Sequence, residues 1–312
     1  MEKAGFDLQG HRGARGLAPE NTLAGFAKAL SLGVSTLELD CAVTRDGIPV
    51  VSHDSQLNPD HTRDAEGRFL EATGPSLSSL TYAELSRYDV GRLKPGSAYA
   101  RLWPDQRQED GQRVPRLAEV FALAKKAGNS EVRFNLETKV FPLLPALTTG
   151  PELFTEAVVG AVRAAGVEKR TSIQSFDWRT LKIVQRMAPG LATVALTSQR
   201  PNSDTIQIGR PGPSPWLGGL DVDDFAGSVP RVVKASGASV WSPNYLDIDP
   251  AAVASAHALG LSVIPWTINE TADMERFLGM GVDGIITDRP DRLRTVLAAR
   301  GIALPRATAV HP

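Results

Sequence analysis

Residues 36–54 read TLELDCAVTRDGIPVVSHD. Two apolar runs, 36–43 and 48–52, flank Asp46-Gly47, a dipeptide that favours a tight hairpin because glycine tolerates positive φ. Alternate side chains of a strand share a face. Glu38 and Asp40 therefore point one way, and Leu37 and Leu39 the other. Two carboxylates turned into an apolar interior are costly unless they are paired or hold a cation; on an edge strand the same pair faces water. Working outward, strand-like runs occur at 6–9, 132–137, 171–176, 191–196, 238–242, 261–267 and 283–287. Helix-like runs lie between most of them: 23–33, 116–128, 151–166, 177–188, 250–260 and 271–281, each ending at Gly or before Pro. Alternation of this kind makes an α/β fold with mostly parallel strands. Nine strand-like runs are one more than a closed eight-stranded barrel needs. The surplus falls in the unit 36–53, where either arm can join the wall.

The chain has 312 residues, which one α/β barrel can use as a single domain spanning residues 1–312. Lys plus Arg is 34 and Asp plus Glu is 35, a formal net charge of -1. That argues against nucleic-acid binding through bulk charge and against a polybasic membrane anchor. No apolar run reaches the ~18 residues of a membrane span, so no stable membrane insertion is expected. The start, MEKAGFDLQGHRG, has no apolar leader segment. A cytoplasmic location is expected, or a periplasmic or secreted one if a leader has been removed. The lone Cys41 excludes an intramolecular disulfide framework. Residues 55–114 hold charged and turn residues with weak periodicity and read as an insertion after a barrel strand. Residues 198–228, rich in Pro, Gly, Ser and Asp, read as a long loop, either shaping a pocket or solvated. Leu304–Pro312 reads as a frayed tail.

A second polar stripe lies in VRFNLETK, 132–139, where Asn135, Glu137 and Lys139 share one face. Catalytic groups of an α/β barrel collect at the C-terminal ends of its strands. Glu38, Asp40 and Glu137 can converge there as three hard oxygen ligands, a set that suits Mg²⁺ or Ca²⁺. Alternatively, Glu137 forms an ion pair with Lys139 or Arg133. His11 and His53 end two strand-like runs and, titrating near neutrality, suit a general base and a general acid; each is otherwise a structural histidine. His257 reads as packing in an Ala-rich helix, His61 lies in the insertion and His311 in the tail. Arg12 and Lys139 add positive charge beside these groups. Carboxylates, a divalent cation, two imidazoles and two cationic side chains describe phosphoryl chemistry on an anionic diester. No GxSxG elbow, Walker loop or GxGxxG fingerprint is present.

Eight strings then recur in a familiar order: His11-Arg12-Gly13; Pro19-Glu20-Asn21-Thr22; Glu38-Leu39-Asp40; 46–54, DGIPVVSHD; 135–139, NLETK; Gln174-Ser175-Phe176-Asp177; Trp266-Thr267-Ile268-Asn269; and 281–290, GVDGIITDRP. Together they resemble the glycerophosphodiester phosphodiesterases. The resemblance implies an α/β TIM-type (β/α)8 barrel with a small insertion after the early strands. It implies metal-dependent hydrolysis of glycerophosphodiesters, such as glycerophosphocholine or glycerophosphoethanolamine, to glycerol 3-phosphate and an alcohol. It implies metal ligation by Glu38, Asp40 and Glu137, acid–base roles for His11 and His53, and phosphate contacts from Arg12 and Lys139. Trp266 lines the pocket or is a buried aromatic at a strand end. The expected cofactor is one divalent cation, Mg²⁺ or Ca²⁺, and the expected partner a small phosphodiester, with no nucleic acid. Competing readings are a phospholipase-type phosphodiesterase on lysophospholipids, a metal-dependent barrel lyase or aldolase, and a barrel that binds a phosphorylated metabolite without turning it over.

Overall fold

The computed structural model describes residues 5–312; the reading of the extreme N-terminus as leader-free rests partly on residues 1–4 and lies outside them. Strand β1 is Asp7–Gly10, β2 Thr36–Val43, β3 Pro49–Val51, β4 Arg133–Thr138, β5 Thr171–Ser175, β6 Ala192–Thr197, β7 Val240–Pro243, β8 Ser262–Val263 and β9 Gly284–Thr287. Eight of them run in the order β8-β7-β6-β5-β4-β2-β1-β9, every neighbouring pair parallel. Backbone bonds from Asp283 N to Val263 O, Ile286 N to Pro265 O and Ile268 N to Ile286 O draw the two ends together into a nearly closed barrel.

The surplus strand is β3. It pairs antiparallel with β2, Cys41 opposite Val51 and Val43 opposite Pro49, and stands off the wall. Thus β2 is the arm that joins the barrel, between β1 and β4, and the edge-strand reading of its carboxylates falls. All eight of its residues are buried. Leu37, Leu39, Cys41 and Val43 meet Phe26, Leu30, Val120 and Phe121 of the covering helices in the main core. Glu38 and Asp40 are left to the barrel interior.

The expected helices form at Leu23–Leu32, Leu117–Lys126, Pro151–Ala165, Trp178–Met187, Pro250–Ala258 and Thr271–Met280. Two more, Val229–Ala235 and Pro290–Ala299, complete the alternation. In the latter a narrow stripe of Leu293, Val296 and Leu297 is buried among charged neighbours, too weak a period to stand out by itself.

Residues 55–114 carry short helices at Tyr82–Leu85 and Ala98–Leu102. Leu57, Leu77, Leu85 and Val114 form a small second core there with Ala42 and Val50. The loop 198–228 is anchored, with Ile206, Leu217 and Val222 buried. The tail is not frayed. Thr308 N donates to Leu30 O at 2.8 Å, and Asn129 Nδ2 to Thr308 Oγ1 at 3.1 Å, which pins it across the helices.

Candidate active site

The β2–β4 register sets Asp40 beside Glu137 and Glu38 beside Asn135. Parallel neighbours in register share a face, so the three carboxylates meet at the C-terminal end of the barrel. One oxygen from each of Glu38, Asp40 and Glu137 lies within 4.8 Å of the others, and all three residues are buried. Around them, Glu38 accepts from Arg12 N at 2.9 Å and Gln174 Nε2 at 2.6 Å. Asp40 Oδ2 accepts from Asn21 Nδ2 at 2.9 Å. Lys139 Nζ donates to Glu137 Oε1 at 2.9 Å, so the ion-pair reading of Glu137 holds alongside the cluster. Asp40 Oδ1 is buried and accepts no hydrogen bond.

The charges are poorly reconciled among themselves. Burial and the adjacent Asp40 push Glu38 well above the usual carboxylate range. Burial pushes Glu137 up to about 7 against the pull of Lys139. Burial acts on Asp40 in the same sense, but Lys139 and Arg12 hold it well below its ordinary value. Two carboxyls inclined to keep a proton and a third whose buried Oδ1 takes no hydrogen bond and has only Lys139 Nζ at 3.4 Å fit a hard, oxygen-seeking dication.

The two histidines flank this cluster, each backed by a carboxylate. His11 follows β1; its Nδ1 lies 2.7 Å from Asp288 Oδ1, and its Nε2 3.9 Å from Glu38 Oε2. Asp288 follows β9 and also takes Arg15 Nε at 2.7 Å, Arg15 Nη2 at 3.1 Å and Asn269 Nδ2 at 2.8 Å. His53 hangs from the end of β3, where Ser52 N donates to Asp40 O at 2.9 Å. Its Nδ1 lies 2.9 Å from Asp54 Oδ1, and Asp54 Oδ2 accepts from Asn58 Nδ2 at 2.7 Å. Burial lowers both imidazoles, with Arg12 and Lys139 adding to the effect for His53, which falls to about 4.

Arg12 adopts φ 52°, an uncommon conformation for a residue with a Cβ. Its N–H on Glu38 and its carbonyl, which accepts from Asn21 N at 3.0 Å, hold it there. Gly13 follows at φ 90°, where an added Cβ would meet the Gly25 carbonyl carbon at 2.7 Å. The tight turn aims the Arg12 guanidinium between Glu20 at 2.6 Å and Asp40 at 3.3 Å.

A cavity of about 170 Å³ opens over the cluster, bordered by His11, His53, Lys139, Phe176 and Trp266 among others. A recess of about 380 Å³ next to His53 is formed by Asp54, Ser55, Gln56, Asn58, Pro59, Thr73 and Phe141. A larger groove of about 580 Å³, between Leu117–Lys126 and Pro151–Ala165, contains neither carboxylate nor imidazole.

Every residue singled out from the sequence thus gathers at one end of the barrel, Trp266 included. Asp288, Arg15, Glu20, Asp54 and His61 belong to the same assembly and were not singled out. An acid directly after a buried strand, as Asp288 is after β9, was the readable signal. His61 is no bystander of the insertion, since its Nε2 lies 3.4 Å from Asp54 Oδ2. His257 is not packing either; it is partly exposed and pairs with Asp283 at 2.9 Å.

Among the described residues no helix is long and apolar enough to cross a membrane. A glycerophosphodiester phosphodiesterase of Caldanaerobacter subterraneus is 31% identical over 292 residues, covering 93% of this chain and 97% of that one. A solved structure from Silicibacter pomeroyi, provisionally named a glycerophosphoryl diester phosphodiesterase, superposes with TM-score 0.85 at 38% identity, covering 96% of each chain. A phosphodiesterase of Oleispira antarctica, solved with its product sn-glycerol 3-phosphate, shares the fold with TM-score 0.69 at 21% identity, covering 94% of this chain and 97% of that one. The profile of the glycerophosphoryl diester phosphodiesterase family matches residues 11–292, and with the barrel and its cluster in place the chain belongs to that family.

Proposed function

We propose that this protein hydrolyses glycerophosphodiesters, such as glycerophosphocholine or glycerophosphoethanolamine, to glycerol 3-phosphate and an alcohol. The observation that carries the reading is the convergence of three buried carboxylate oxygens within 4.8 Å, flanked by two imidazoles that each have a carboxylate behind them. Family membership and the named activity of the Caldanaerobacter relative support it.

In this reading Glu38, Asp40 and Glu137 hold one Mg²⁺ or Ca²⁺. Such an ion supplies charge neutralisation at the phosphate oxygens and polarises phosphorus toward attack. Arg12 and Lys139 take further phosphate oxygens, and Trp266 walls the cavity. One imidazole removes a proton from the attacking oxygen, which is either water or the neighbouring glycerol hydroxyl. A new P–O bond forms, the P–O bond to the alcohol breaks, and the other imidazole gives the departing alkoxide its proton. Attack by the glycerol hydroxyl would leave a cyclic phosphate for a second hydrolysis.

The test is a coupled assay for glycerol 3-phosphate over a panel of diesters, after chelation and again with Mg²⁺ or Ca²⁺ restored. Metal-dependent release of glycerol 3-phosphate is expected. Full activity after exhaustive chelation, or turnover of a carbonyl substrate with none of any diester, would overturn the reading.

A further inference from the structure

The segment 55–114 does more than pack on β3: one of its side chains reaches the supports of the cationic, basic and acidic groups together. That side chain is Tyr99, on the short helix Ala98–Leu102. Its Oη donates to Glu20 Oε2, and Glu20 Oε1 takes Arg12 Nη1 at 2.6 Å. The same Oη accepts from Arg15 Nη1 at 3.4 Å, and Arg15 clamps Asp288 against His11. The Tyr99 ring packs on His61, with centroids 5.9 Å apart, and His61 reaches Asp54 behind His53. Trp103, four residues on, lies under the Arg15 guanidinium at 4.3 Å.

The geometry points to Tyr99 as a positioning residue: it joins the Glu20–Arg12, Arg15–Asp288–His11 and His61–Asp54–His53 limbs and holds the phosphate-binding and acid–base groups in mutual register. The inference rests on the phosphodiesterase reading for those groups' roles. Tyr99 touches none of the three clustered carboxylates and acts only through its neighbours. A planar guanidinium keeps its aim only while its own anchors are fixed, because a long side chain otherwise samples many rotamers. Glu20 is ionised at any ordinary pH. Burial opposes its charge, but Arg12 and Arg15 bring it down to about 2, so it is a permanent acceptor for the phenol.

The test compares Tyr99→Phe, Glu20→Gln and the double variant in the metal-loaded enzyme. Tyr99→Phe keeps the ring on His61 and deletes one O–H. We expect kcat/KM to fall about 10- to 100-fold, the scale on which small misplacements act. Binding of sn-glycerol 3-phosphate, followed by titration calorimetry with Mg²⁺ present, should weaken in parallel. If Tyr99 works through Glu20, the double variant is no slower than Glu20→Gln alone; multiplicative losses overturn the relay. Arg101→Ala, on the same helix but bonded only to Gly96 O, should keep wild-type rates. A loss there equal to that of Tyr99→Phe would mean the helix matters only as structure, and a Tyr99→Phe enzyme within about twofold of wild type would dismiss the role altogether. If the wild type cleaves no diester, the functional reading fails, while the glycerol 3-phosphate titration still decides for or against Tyr99.

Discussion

Asp288→Asn is the sharpest probe of how the site is held. Asp288 is fully buried, and its two oxygens meet His11 Nδ1, Arg15 Nε, Arg15 Nη2 and Asn269 Nδ2 at 2.7 to 3.1 Å. An amide of the same shape offers one acceptor oxygen and turns an NH₂ toward two of those donors. It also strips the counter-charge from Arg15, whose side chain is only 11% exposed. Breaking a buried pair from one side costs about 3–5 kcal/mol. The catalytic loss has a separate origin. An Asp288 carboxylate beside Nδ1 favours the tautomer that leaves Nε2 facing the carboxylate cluster as a lone pair. An amide carbonyl or NH₂ in that place no longer enforces this tautomer, and the loss expected is about 10²–10⁴-fold in kcat. The assay is glycerol 3-phosphate release at saturating Mg²⁺, beside urea unfolding of the same preparation. A variant within about twofold of wild-type turnover, with an unmoved unfolding midpoint, would show that His11 needs no carboxylate partner and that the reasoning is wrong.

Replacing His11 or His53 by Ala should each cost about 10²-fold or more in turnover; a p-nitrophenyl diester, whose leaving group needs no proton, should restore only the variant lacking the general acid, and equal rescue of both would discard a two-imidazole mechanism. Glu137 titrates at about 7 with no ion bound, so Mg²⁺ must displace a proton below that pH; calorimetry should find affinity rising and proton release falling from about pH 6 to about pH 8, whereas a flat profile counts against Glu137 as a ligand. Glu20 has a depressed folded value of about 2 against an ordinary 4.5, so its contribution is complete above 4.5 and fades as pH falls toward 2; Glu20→Gln should therefore unfold with a shallower acid dependence across that window, and an unchanged slope would mean its pair with Arg12 adds nothing.

What is legible in the sequence is what strict alternation exposes. In β2 alternation alone puts Glu38 and Asp40 on one face, and in β4 it puts Asn135 with Glu137, but only the β2–β4 register brings the two faces together. The hairpin is legible from Asp46-Gly47, but which arm joins the wall is not, because both are apolar and only pairing with β1 and β4 decides it. Asp288 directly after a buried strand is a readable acid, but its histidine is 277 residues away and nothing local names that partner. Glu20 sits inside a recognised string, yet its role depends on Tyr99 from a segment without usable periodicity. The tail reads as free because its anchors, Leu30 and Asn129, are far away in sequence. Local pattern reports faces and caps; long-range polar partners are settled only by packing.

His53 does not sit on the barrel wall. It hangs from β3, whose alignment is set by the short turn at Thr44–Ile48, while Glu38 and Asp40 belong to β2 and are locked by their neighbours on both sides. A strand's side chains swap faces with every one-residue slip. A single codon gained or lost in that turn would therefore swing His53 out of the cavity and leave the clustered acids of β2 untouched. One of the two proposed acid–base imidazoles thus sits on a separately editable part while the other stays on the wall, so a short evolutionary step leads from a catalyst of this shape to a receptor that grips the same diester and releases it intact.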